Sequence, residues 1–140
     1  MLKHLFVSLF FGGLILVSGN LLTTCNNLKK DESKLLTCNV YIRKSGESFE
    51  YFFVPENRPR QRIYISRNAQ KVDWDNCEVI LKENDEYLLV DLNKLGFTIK
   101  KFSTFQSLDS FYNKVHENVK KVKLHYSSDV YLSLADKLGK

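Results

Sequence analysis

The chain contains three cysteines, Cys25, Cys38 and Cys77, whose thiols can form only a few kinds of bond. In an exported protein cysteines pair as disulfides, so an odd number leaves one thiol with a separate role. Cys38 and Cys77 lie on the inward faces of two predicted strands, each at or near the start of its strand. A disulfide between them is therefore geometrically reasonable, with two buried free thiols as the alternative. Cys25 would then be acylated, free or bound to another molecule.

Patterns for catalytic or metal chemistry are weak. The chain contains no Cys-x-x-Cys, and His116 and His125 are too far apart in the sequence for a zinc-ligand pair. His116 stands beside Glu117 on the polar side of a predicted helix, and such a pair can transfer protons, although a solvated surface pair is more common. No nucleophile motif or phosphate-binding glycine loop occurs. We expect a non-enzymatic protein without a metal or a cofactor.

A basic and aromatic group of residues predicts an interaction patch. Its members are Arg58, Arg60, Arg62, Arg67 and Trp74. Arginine and tryptophan often dominate the binding energy of protein interfaces. The alternative for Trp74 is that its indole packs over a sheet edge as part of the core.

The formal net charge of +5 is compatible with an ordinary solvated surface or with a negatively charged partner. Such a partner would be an acidic protein or an anionic surface. Nucleic acid is not expected, because no basic motif of a nucleic-acid-binding class is present.

Residues 1–19 have the order of a secretory signal peptide. Lys3 and His4 form a short basic start, 5–17 is an apolar run, and small or polar residues follow. Cleavage after Gly19 would release a mature chain that begins at Asn20.

Two alternatives stay open for this segment. The run Leu-Thr-Thr-Cys at 22–25 resembles a bacterial lipobox, whose cysteine is acylated, and acylation of Cys25 would tether the domain to a membrane. The apolar stretch 5–24 is also long enough for an uncleaved membrane anchor. All three interpretations predict an extracytoplasmic protein, which is secreted, periplasmic or held at a membrane as a lipoprotein.

The remaining chain is long enough for one domain. Residues 20–34 are polar and without a period, which predicts a flexible tether before a single domain at 35–140. Alternating apolar residues and intervening turns predict six strands that form an antiparallel meander. These strands are 35–43, 48–54, 61–67, 77–82, 87–92 and 97–102.

The spacing of apolar residues changes after these strands. Apolar residues three, four or seven positions apart predict an amphipathic helix at 107–124, with Ser107 or Ser110 as its N-cap. The end of the chain, 126–140, is either a short helix that begins near Ser127 or contains a strand at 130–134.

The expected fold is α+β: an antiparallel meander of about six strands covered by one C-terminal amphipathic helix, after an N-terminal signal segment. The function that we expect is that of a small exported, non-enzymatic binding protein. One alternative is a small-ligand-binding or enzymatic domain with a cavity between sheet and helix. Another is a membrane-anchored accessory subunit that retains its N-terminal helix.

Overall fold

The structure, a computed structural model, describes residues 32–138. The predicted signal segment at 1–19 and Cys25 lie outside the described residues. Within them the chain forms nine strands and two helices. The strands are β1 (Lys34–Thr37), β2 (Val40–Ser45), β3 (Ser48–Phe53), β4 (Ile63–Ser66), β5 (Lys71–Asp75), β6 (Glu78–Glu83), β7 (Glu86–Leu92), β8 (Phe97–Phe102) and β9 (His125–Tyr126). The helices are α1 (Phe105–Val115) and α2 (Ser127–Leu138).

The strands form two antiparallel sheets. One sheet has four strands in the order β1-β2-β3-β4, and the other has five in the order β8-β7-β6-β5-β9. Antiparallel sheets with two short helices agree with the predicted α+β class. The prediction of one six-stranded meander under one helix is wrong, because the chain builds a second sheet and a second helix.

The second sheet is required because strands β6 and β7 are apolar on both faces. Each has three consecutive buried apolar residues, Val79, Ile80 and Leu81 in β6 and Leu88, Leu89 and Val90 in β7. Consecutive strand residues point to opposite sides, so both faces of this sheet must be covered. The four-stranded sheet covers one face, and helix α1 with the segment after it covers the other.

Two hydrophobic cores result from this order of layers. The larger core lies between the sheets and contains buried residues from both, with Val130 and Tyr131 of α2. The smaller core lies under α1 and consists of Ile80, Leu89, Leu108 and Tyr112. Each large apolar side chain that leaves water here stabilises the fold by about 1.5–3 kcal/mol. The space between helix and sheet is thus occupied by side chains.

Two hairpin turns explain where the strand predictions differ from the structure. The predicted strand 35–43 is split by a two-residue turn at Cys38 and Asn39, which have φ of 37° and 67°. The predicted polar connection before Cys77 contains strand β5, which turns into β6 at Asn76 and Cys77, with φ of 35° and 63°. Positive φ at both central residues is typical of the tight turn that matches the twist of a hairpin.

Helix α1 begins earlier and ends sooner than the predicted helix at 107–124. Thr104 is its N-cap, with the side chain accepting a hydrogen bond from the Ser107 amide. Glu117 and Asn118 then adopt positive φ, and the Asn118 amide donates to the Asn113 carbonyl, which ends the helix. Val115, the last residue of α1, is 56% exposed.

The end of the chain forms the second helix, α2, which agrees with the helical one of the two alternatives predicted for 126–140. It begins at Ser127, whose side chain is buried and donates to the Ala69 carbonyl at 2.8 Å. The Tyr51 hydroxyl lies 2.8 Å from the same Ser127 oxygen. Burial raises the pKa of Tyr51, and the Ser127 hydrogen bond opposes that shift. Ser127 therefore links α2 to β3 and to the connection between the sheets.

A disulfide links the two sheets as well. It joins Cys38 to Cys77 across a sequence separation of 39 residues, with Cα atoms 5.0 Å apart. The pairing agrees with the one expected from the sequence. The two cysteines lie in hairpin turns rather than within strands, so the bond connects the β1–β2 turn to the β5–β6 turn.

Replacing both cysteines should lower stability considerably. We expect Cys38→Ser/Cys77→Ser to lose about 4 kcal/mol of unfolding free energy, because the unfolded chain is no longer constrained by a long closed loop. Urea denaturation with and without reductant measures the loss. Reductant should bring the wild-type midpoint down to that of the variant and leave the variant unchanged. Equal midpoints for the oxidised wild type and the variant would contradict a stabilising disulfide.

Candidate functional site

The outer face of the four-stranded sheet is the surface with the most distinctive chemistry. Alternation along β2 turns Val40 and Ile42 into the core and places Tyr41 and Arg43 on the opposite side. Both helices pack on other surfaces: α1 on β7 and β8, and α2 on the large core. The outer face therefore carries side chains that the fold does not need for its cores.

Three aromatic rings form a row across this face. Strand register places Tyr41 opposite Phe52 and Phe52 opposite Tyr64. Tyr41 and Phe52 stack with ring centroids 5.5 Å apart and planes 12° from parallel. Phe52 and Tyr64 are 5.7 Å apart at 54°. Such pairs contribute about 0.5–1.5 kcal/mol beyond the area that they bury.

Guanidinium groups lie over this row. The Arg62 guanidinium carbon is 4.7 Å from the Phe52 centroid, and that of Arg67 is 3.8 Å from the Tyr64 centroid. Because its neighbours cover it, Phe52 is only 2% exposed although it lies on an outer face. The arginine–aromatic face is hereafter the set Tyr41, Arg43, Glu50, Phe52, Arg62, Tyr64 and Arg67.

One buried carboxylate organises two of these arginines. Glu50 is 4% exposed and lies opposite Arg43 in the β2–β3 register. Arg43 donates from Nε and Nη2 to Glu50 Oε1, while Arg67 Nη1 donates to Oε2 at 3.1 Å. Charge-assisted hydrogen bonds of this kind hold the guanidinium planes in place. The face is positive overall, since one carboxylate faces several guanidinium groups.

Every arginine of the chain lies between residues 43 and 67. The Lys/Arg positions outside this segment are all lysine. The lysines that cluster do so elsewhere, at Lys100 and Lys101 on β8 and at Lys114, Lys120, Lys121 and Lys123 around and after the end of α1. Arg43 and the three aromatic residues are not among the residues predicted for the interaction patch. The confinement of arginine to one segment, with Tyr41-x-Arg43 and Arg62-x-Tyr64 alternation, is the signal that reveals them.

A cavity of about 370 Å³ opens at one end of the arginine–aromatic face. It is lined by Ser33, Tyr41, Phe52, Val54, Pro59, Arg60 and Arg62. We call it the rim cavity. Its lining combines two stacked rings with aliphatic side chains and two guanidinium groups.

The structure divides the predicted interaction patch. Arg62 and Arg67 belong to the arginine–aromatic face, and Arg60 lines the rim cavity. Arg58 lies in the loop before β4, where it donates to Gln61 at 3.5 Å. Trp74 is on β5 of the other sheet and packs against the large core. Trp74 thus lies on a different sheet from Arg62 and Arg67, and its packing against the core agrees with the alternative for this residue.

His116 contacts a different carboxylate from the one expected. Its Nε2 lies 3.0 Å from Glu78 on β6, whereas Glu117 is exposed in the turn after α1. Burial, followed by the charge of the same Glu78 carboxylate, raises the pKa of Tyr112. The backbone amide of Lys123 donates to Asp73 at 2.8 Å. These contacts fasten α1 and the following segment to the five-stranded sheet.

A metal cluster and a membrane-spanning helix are both absent from the part of the chain that the structure describes. Among the side chains of residues 32–134, no three His, Cys, Asp or Glu residues are arranged to hold a metal ion. No helix in that part of the chain is long and apolar enough to span a membrane. Comparisons of the chain with protein-family models, with curated proteins and with solved structures give no match.

Removing the central carboxylate should destabilise the protein. We expect Glu50→Ala to lower the free energy of unfolding by roughly 1–3 kcal/mol, because Arg43 and Arg67 lose their shared acceptor and repel each other. Urea denaturation measures the change. The matched control is Glu47→Ala, at an exposed position of the β2–β3 turn, which should change stability by less than about 0.5 kcal/mol. Equal effects of the two substitutions would contradict the organising role of Glu50.

Proposed function

We propose that this chain is a small exported, non-enzymatic binding protein whose arginine–aromatic face binds an acidic protein partner. The observation that carries the proposal is the confinement of every arginine to the segment that forms this face and its edges. Arginine and aromatic residues are enriched at protein interfaces, whereas lysine is depleted. An acidic partner would supply carboxylates that match the planar guanidinium groups.

The geometry of the face favours a protein over a lipid surface. Its rings are stacked on one another and covered by guanidinium groups, so Phe52 does not protrude for insertion into a bilayer. The fixed arginines form a pre-organised surface, which reduces the entropy lost on binding. Lysine clusters, which attract anionic lipid at long range, lie on other elements.

Export is supported by the signal-like order of residues 1–19 and by the disulfide. Disulfides persist in oxidising compartments and are rare in the cytosol. The covalent link between Cys38 and Cys77 thus has a role outside the cytoplasm, in keeping two sheets together in a small domain.

Intact-mass measurement of the native protein tests export. We expect a chain that starts near Asn20 and lacks two hydrogens because of the disulfide. A chain that starts at an acylated Cys25 would also support export, with a membrane tether. A full-length, unmodified mass with reduced thiols would contradict it.

Selection from a random peptide library displayed on phage tests the binding face. Peptides selected on the immobilised domain should be enriched in Asp and Glu. Arg62→Ala should weaken binding of a selected peptide about tenfold. Lys101→Ala is the control, because it removes one positive charge from an exposed position on the other sheet. It should leave binding within about twofold.

Three results would contradict the proposal. The first is a selection without enrichment in acidic residues. The second is an equal loss of binding for Arg62→Ala and Lys101→Ala. The third is Arg62-dependent binding to phosphatidylglycerol vesicles that is tighter than binding to any selected peptide, which would assign the face to a membrane.

A further inference from the structure

The rim cavity combines an apolar floor with a cationic wall. The partly buried Tyr41 ring forms the floor, and the buried Phe52 ring supports it by stacking on it. Val54 and Pro59 add aliphatic surface, and Arg60 and Arg62 contribute the guanidinium groups. Such a lining fits a ligand that is flat and apolar at one end and negatively charged beside it.

The size of the cavity limits what it can bind. Ligand pockets usually span about 300–1,000 Å³, so a volume of about 370 Å³ is near the lower end of that range. One aromatic side chain with an adjacent carboxylate matches this volume better than a cofactor does. A parallel ring or an edge-on ring from a ligand would pack on the Tyr41 ring in a geometry that aromatic pairs prefer.

The loop that carries Arg60 is held in place by backbone hydrogen bonds. The Arg58 amide donates to the Pro55 carbonyl at 3.1 Å, and the Gln61 amide donates to the Arg58 carbonyl at 3.0 Å. Pro55 and Pro59 further restrict the backbone of this segment. The backbone at Arg60 is thus restricted, which reduces the entropy that the loop loses on binding.

We infer that the rim cavity is a recognition site for an aromatic side chain that has a carboxylate next to it. This inference rests on the proposed function, because it names the element of the acidic partner that the face selects. The carboxylate has two sources, a neighbouring Asp or Glu or the C-terminus of the partner. Arg60 and Arg62 would bind it, while the ring packs against Tyr41.

Fluorescence anisotropy with four labelled ten-residue peptides tests the site. The first is amidated and contains an internal Asp-Phe pair among other acidic residues. The second replaces the Phe by Ser, and the third replaces every acid by its amide. The fourth is neutral apart from a C-terminal Phe with a free carboxylate. We expect the first to bind about tenfold more tightly than the second.

Two protein variants assign any preference to the cavity. Arg60→Ala should remove most of the tenfold advantage of the Phe-containing peptide. Arg58→Ala is the matched control, because it removes the same charge from the same loop and Arg58 does not line the cavity. Arg60-dependent binding of the fourth peptide would also support the site and would identify the chain terminus as a source of the carboxylate.

The failures of the two proposals are distinguishable. Equal affinities for the first and second peptides, both above that for the amide peptide, would overturn the rim-cavity site and leave the acidic-partner function intact. Equal affinities for all acidic and amide peptides would overturn the proposed function itself. Equal losses for Arg58→Ala and Arg60→Ala would show a general charge effect and overturn the site.

Discussion

The rest of this structure depends on the burial of strands β6 and β7 on both faces. Ile80 and Leu89 point away from Val79 and Val90, so no single layer satisfies these strands. The five-stranded sheet therefore lies in the middle, between the four-stranded sheet and helix α1. An antiparallel sheet suits an outer layer because one of its faces can pack on the core while the other faces water. The arginine–aromatic face is the solvent side of that layer.

The inner packing also positions the outer residues. In β3, Tyr51 and Phe53 are fully buried, and the residues between and before them, Phe52 and Glu50, necessarily face outward. The hydrogen bond between Tyr51 and Ser127 fixes this strand further. Any substitution that shifts the register of β3 would move both the core and the binding face, because a one-residue slip exchanges the two sides of a strand.

Arginine and lysine have separate places in this molecule. Arg43, Arg62 and Arg67 stack on rings or bind Glu50, which uses the planar, multi-donor guanidinium group. Lys100 and Lys101 lie on β8, the edge strand of the other sheet, where charged side chains discourage pairing with another chain. Lys120 and the Lys123 amide bind Asp75 and Asp73 and so fasten the segment after α1.

The sequence by itself determined the local features of this protein. Alternating apolar residues located the β2–β3 hairpin, apolar segments between turns located β7 and β8, and the inward positions of the two cysteines on predicted strands indicated the Cys38–Cys77 pair. Only the tertiary structure decided that two sheets form, that Trp74 packs in the core, and that Glu78 rather than Glu117 meets His116. The physical reason is the distance along the chain over which each interaction acts. Alternation and turns are encoded by neighbouring residues. Strand β5, by contrast, has the sequence pattern of a polar loop and exists because it pairs with β6 and β9. Layer order and the segregation of side chains to one face follow from such distant pairings.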